Sequence, residues 1–185
     1  MPPKQRYTRD EMISAALETV RESGLSALTA RALASKLSSS PKVIFGAFTS
    51  MDEVRSEVVR RAGEIYAGRM MEALASKDMP PYESCGICFV RFAHEEKELW
   101  RILFMNEGND DAVKFEDTTL EAIYSAIMQG VGVTHGTAAE MHMKYSIFAC
   151  GLAVQALNSA EPLDEEEMIR LLSENWEDLV NRYRR

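Results

Sequence analysis

The side chains best suited to act on a partner are Arg31, Lys36 and Lys42, with hydroxyls at Thr29, Ser39 and Ser40 and a ring at Phe45. All fall within the stretch LTARALASKLSSSPKVIFGAFTSMDE, residues 28–53. A guanidinium can donate two hydrogen bonds to the edge of a guanine, and an ammonium beside phosphate displaces counterions. Such groups spaced along short helices point to a groove of double-stranded DNA.

Other constellations lead to less. Cys85 and Cys88 form a CxxC followed by His94, but a zinc site needs a second ligand pair at suitable spacing and none is near. A redox CxxC expects a strand-to-helix setting, and this segment reads as an apolar helix, so core cysteines are the expectation. His135 and His142 stand two helical turns apart with no evident partner, which predicts solvated or capping roles. No G-x-S-x-G, H-E-x-x-H or P-loop occurs. The expectation is a protein that is not an enzyme and carries no cofactor or metal.

The elements that would position the DNA-reading residues follow from caps and periodicity. Thr29 is a natural N-cap, and Ala30, Leu33, Ala34 and Leu37 then repeat at i, i+3, i+4, i+7. Ser38, Ser39 and Ser40 interrupt that helix, and Ser40-Pro41 starts another, since proline at the first helical position gives up only an unpartnered N–H. Val43, Ile44, Ala47 and Phe48 form its inner side, and Ser50 with Glu53 makes a capping box for the next helix. Before the pair, Thr8 and Glu11 cap a helix with Ile13, Ala16, Leu17 and Val20 inward, and Gly24 ends it. Helix, tight turn, helix is the plan in which a second helix enters the major groove.

The order and spacing of Leu28, Thr29, Arg31, Leu33, Ala34, Phe45, Phe48, Ser50, Asp52 and Glu53 resemble the DNA-binding signature of the TetR family of bacterial transcription regulators. Further on, FVRFAHEEKELWRILFM is similar to the body of one branch of that family. The resemblance implies an all-α fold: a three-helix helix-turn-helix module at residues 1–52 and a ligand-binding and dimerisation body at 53–185. It also implies a homodimer on a palindromic operator, most simply as a repressor released by a small apolar effector. The pattern departs at Ser38, where many members have glycine, at Phe45, where a hydroxylated ring is common, and at Gly46, Ala47 and Met51. The alternative is a small-molecule-binding or protein-interaction module of the same fold without operator binding.

The 185 residues suit one domain or a small module joined to a larger one, with 46% hydrophobic content to build a core. No apolar run reaches membrane length and the N-terminus lacks a signal-peptide core, so a cytoplasmic protein without membrane contact and with free thiols is expected. The net charge of −8 divides unevenly. Residues 1–62 hold ten Lys/Arg against seven Asp/Glu, net +3, and residues 63–185 hold eleven against twenty-two, net −11. Such a split favours approach to phosphate by the N-terminal end, where Lys4, Arg6 and Arg9 are further candidates for DNA contact.

The remaining pattern predicts about nine helices and no strand. A helix from Met51 to about Ala75 is followed by a break at 78–81. A mostly apolar helix over 82–95, an aromatic segment over 99–105, a loop over 106–111, and helices over 115–131 and 137–158 come next. A turn at 161–164 precedes the last helix. Phe89, Phe92, Trp100, Phe104, Tyr124, Met128 and Phe148 are candidates for lining an apolar ligand cavity. Ala149, Ala153 and Ala156, with Leu172, Trp176 and Leu179 on the last helix, are candidates for a dimer interface.

Overall fold

The first helix, α1 (Arg9–Ser23), begins with the capping box its sequence encodes. The Glu11 amide donates to the Thr8 hydroxyl at 3.2 Å, and the Thr8 amide donates to the Glu11 carboxylate at 2.7 Å. Met12, Ile13, Ala16, Leu17 and Val20 are its buried face. Gly24 ends it at φ 78°, a conformation that L side chains rarely adopt, and a Cβ there would lie 2.9 Å from the Glu98 carboxylate. A single 3-10 turn, Leu25–Ala27, leads on.

The other helices are α2 (Ala30–Lys36), α3 (Pro41–Ile44), α4 (Met51–Ala75), α5 (Pro81–Glu95), α6 (Lys97–Phe104), α7 (Asp111–Val131), α8 (His135–Asn158) and α9 (Glu165–Tyr183). This computed structural model describes residues 7–77, 79–105, 111–158 and 164–184, with the backbone alone over 111–119. Lys4, Arg6, most of the loop expected over 106–111 and the turn expected at 161–163 lie outside the described residues. Among the described residues every regular element is helical, as the periodicity requires. None of the described helices is long and apolar enough to cross a membrane.

The chain forms two compact units, residues 1–64 with 98–113 and residues 65–97 with 114–185. In the first, α1 packs on α2, and α2 on α3. Leu99, Trp100, Ile102 and Leu103 of α6 are buried, and the Trp100 and Phe104 rings lie 5.4 Å apart. In the second, α5, α8 and α9 pack on one another.

The core of the second unit is built on α5, whose Tyr82, Ser84, Cys85, Gly86, Ile87, Val90, Phe92 and Ala93 are all buried. Tyr82 lies 5.0 Å from the Tyr145 ring of α8 and 4.4 Å from the Trp176 ring of α9, centre to centre. An ideal Cβ on Gly86 would sit 2.4 Å from the Tyr145 hydroxyl oxygen and 2.6 Å from its ring, so only glycine permits this approach. Burial pushes the Cys85 thiol up to about 12 and the Cys88 thiol up to about 11. The Cys85 thiol donates to the Pro81 carbonyl at 3.4 Å.

Two expectations change here. His142 is not a solvated or capping residue: its Nδ1 is 2.8 Å from the Tyr82 hydroxyl, and Tyr124 stands edge-on to it at 5.6 Å. Burial lowers the tendency of His142 to take a proton. The pairing crosses 60 residues of sequence, beyond the reach of any local pattern. The small-residue stripe is the second case. Ala149, Ala153 and Ala156, with Leu172, Trp176 and Leu179, are buried by the chain itself. The large apolar side chains exposed on α8 are Met143 and Ile147, 54% and 67% accessible.

Gly86→Ala is expected to lower the urea unfolding midpoint. Overpacking of this kind costs about 1–3 kcal/mol, against ~1 kcal/mol that alanine gains over glycine within a helix. Tyr145→Phe is expected to leave the midpoint unchanged or raise it, because the hydroxyl is buried without a hydrogen-bond partner among the described residues.

Candidate nucleic-acid interface

The helix-turn-helix is set by backbone hydrogen bonds that its sequence makes available. Thr29 takes an extended conformation ahead of α2 and its hydroxyl accepts from the Ala32 amide at 3.1 Å, a cap worth about 1 kcal/mol. At the other end the Ser39 amide donates to the Ala34 carbonyl at 2.9 Å, and the Ser38 amide to the Ser35 carbonyl at 3.0 Å. These two bonds form a Schellman motif, with Ser38 in the left-handed position at φ 47°. A serine there carries a steric cost of about 1–2 kcal/mol that glycine avoids. The Tyr7 hydroxyl donates to the Leu37 carbonyl at 2.5 Å and holds the same turn.

Ser40 occupies the N-cap position of α3 without making a side-chain cap bond, and Pro41 fills the first helical position. The helix lasts four residues, after which the Phe48 amide donates to the Ile44 carbonyl at 2.9 Å. Ile44 and Phe48 are buried and anchor the segment, while Val43 and Ala47 are half-buried. Arg31, Ser35, Ser38, Ser40, Pro41, Lys42 and Gly46 are exposed, and Phe45 is 50% accessible. Arg31 and Lys42 make no ion pair among the described residues.

The start of α1 and the start of α4 are tied together by charge. The Arg9 guanidinium donates to the Ala47 carbonyl at 3.0 Å, to Glu53 at 2.7 Å and to Glu57 at 3.1 Å, and stacks 4.2 Å over the Phe48 ring. Glu53 also accepts from the Thr49 amide at 2.6 Å and the Thr49 hydroxyl at 2.7 Å. These bonds from Thr49, then Arg9, hold the Glu53 carboxyl down at about 2. Arg55 donates to the Leu28 carbonyl at 3.2 Å and pairs with Asp52 at 2.8 Å.

Arg9 therefore acts as a brace in this structure, although sequence alone made it a candidate for DNA contact. Lys36 likewise lies 2.8 Å from Glu22 and 3.6 Å from Glu18 on α1. Ser39 is half-buried, and its hydroxyl oxygen has no hydrogen-bond partner among the described residues. Sequence reasoning missed the bracing roles of Tyr7 and Arg55. Their partners are backbone carbonyls 30 and 27 residues away, which no spacing rule reaches.

The ligand candidates divide between the units. Trp100 and Phe104 belong to the first, and the other five to the second. Phe89 and Phe92 both meet the Tyr66 ring, at 6.4 and 5.3 Å, and Phe92 carries Arg69 5.3 Å over its face. Tyr124, Met128 and Phe148 are half-buried.

Ser38→Gly is expected to raise stability by about 0.5–1 kcal/mol, the steric relief less the entropy of a freer unfolded chain. The urea midpoint reads this directly. The folded value of the Glu53 carboxyl lies below its ordinary 4.5, so the stabilisation is fully present above about pH 4.5 and is lost as the pH falls toward 2. Glu53→Gln is expected to flatten the acid limb of a plot of midpoint against pH over that window.

No protein-family model matches the sequence, and no curated protein does. Solved structures do match. A TetR-family member from Streptomyces coelicolor A3 is 17% identical, with 94% of this chain and 98% of that one covered and a TM-score of 0.64. The multidrug binding protein EbrR complexed with malachite green is 16% identical, with 94% and 98% covered and a TM-score of 0.63. A TetR variant from Acinetobacter baumannii AYE in complex with minocycline is 16% identical, with 96% and 97% covered and a TM-score of 0.61. Over nearly its whole length the chain has the fold of the TetR-family regulators.

Proposed function

We propose that the protein is a ligand-responsive, DNA-binding transcription regulator of the TetR family, acting as a homodimeric repressor on a palindromic operator. The observation that carries this reading is the exposed Arg31, Lys42 and Phe45 on a helix-turn-helix that Arg9 ties to α4. The DNA-binding part lies in residues 1–52, and ligand binding and dimerisation belong to residues 53–185. Arg31 reads a guanine edge, and Lys42, with Thr29, Ser40 and Phe45, supports contact to the duplex. The arm residues Lys4 and Arg6 supplement phosphate contact.

Neighbours bound to malachite green and minocycline support an effector site in the body. An apolar effector is held among Phe89, Phe92, Tyr124, Met128 and Phe148, and α4, which contributes residues to both units, is the element it shifts. Coupling of about 1–3 kcal/mol releases an operator held near its working affinity. Dimerisation uses the outer face of α8 with Met143 and Ile147, rather than the buried alanine stripe.

A second reading has its own support. Lys36 is paired with Glu18 and Glu22, and α3 has only four residues, which favours a binding module of this fold without an operator.

Footprinting of the promoter beside the gene separates the two. The regulator protects a near-palindrome with half-sites about one helical turn apart, and protection weakens steeply with salt. Arg31→Ala is expected to lose about 1–3 kcal/mol and to relax discrimination at one base pair. Absence of protection even at low salt leaves the binding-module reading. By sedimentation the parent is expected to be a dimer and Ile147→Glu a monomer with unchanged helicity. A parent that sediments as a monomer at micromolar concentration contradicts the interface.

A further inference from the structure

A cavity of about 400 Å³ lies in the second unit, between the start of α5, the end of α7 and the end of α9. None of the seven aromatic and methionine candidates for the effector site lines it. Tyr82 and Glu83 come from α5, Gly130 from α7, and Trp176, Glu177 and Arg184 from α9.

We propose that this groove binds a small organic cation, an amine or quaternary ammonium on an apolar body. Its volume suits a single ring system with a short substituent. Tyr82 and Trp176 are 4% and 5% accessible, with rings 4.4 Å apart, and give it an electron-rich apolar floor. Glu83 is half-buried and is held by the Ser173 hydroxyl, which donates to it at 2.9 Å.

The charges lining the groove are out of balance. Burial pushes the Glu83 carboxyl up, and the nearby charge of Glu177 adds to that. Glu177 has no ion-pair partner among the described residues. Arg184 is the single cation of the lining, and its guanidinium donates to the Gly130 carbonyl at 3.1 Å. The α7 residues that line the groove carry no titratable side chain. Two carboxylates against one guanidinium repel an anion, and a neutral guest would strip water from the half-buried Glu83 without compensation, while Glu177 at the exposed rim adds to the field. A cation satisfies both groups while its apolar body covers the aromatic floor. The site holds whether or not the head binds DNA.

Calorimetric titration of the full chain with benzyltrimethylammonium, neutral N-benzylacetamide and anionic phenylacetate tests this. The cation is expected to bind about tenfold tighter than either of the others. Glu83→Gln and Glu177→Gln are each expected to weaken the cation about fivefold and to leave the amide unaffected. Glu165→Gln, outside this groove, is expected to change neither. Circular dichroism confirms that each variant keeps its helix, and the three-ligand comparison on the parent protein needs no variant. Absence of heat with the cation, an amide that binds as tightly, or glutamine variants that bind the cation unchanged overturns the proposal.

Discussion

The body of the protein depends on the close approach of α5 to α8, and that approach exists because Gly86 has no side chain where the Tyr145 ring lies. Once the two helices are this close, Tyr82 reaches Tyr145 and Trp176 together, and three helices share one aromatic cluster. Ala149 and Ala153 of α8 are buried too, since small side chains are what a neighbouring helix can cover. A stripe of alanines on α8 is thus explained inside one chain, and the larger Met143 and Ile147 are left facing outward.

The head obeys a different constraint. Its apolar core, with Met12, Val20, Leu33, Ile44, Phe48 and Val58 buried, is joined by ties that run through polar groups. Backbone carbonyls and carboxylates supply the remaining order. Arg9 joins the start of α1 to the carbonyl of Ala47 and to two carboxylates of α4, and Arg55 joins α4 to the carbonyl of Leu28. Arg31 and Lys42 take no part in these ties and make no ion pair among the described residues.

Much of this was legible in the chain because it is local. The Thr8–Glu11 box, the Thr29 cap, the glycine stop at Gly24, the proline at the start of α3 and the extent of α4 are all written within four or so residues of where they act. The fold of the α2–α3 pair followed, because its caps and its apolar spacing agree. What escaped were pairings across long stretches of sequence. Lys36 looked free for phosphate until α1 brought Glu18 and Glu22 to it, and His142 looked unpartnered until α5 brought Tyr82. The alanine stripe failed for a related reason, since small residues license close packing without saying which helix comes close.

The two cysteines of α5 carry one more consequence. With the Cys85 and Cys88 thiols raised to about 12 and 11, the thiolate that reacts with peroxides, disulfides or electrophiles is a trace species at neutral pH. Their CxxC spacing invites the idea of a redox pair, and burial works against it by holding both thiols protonated. Burial thus makes this pair part of the packing of α5 rather than a reactive site.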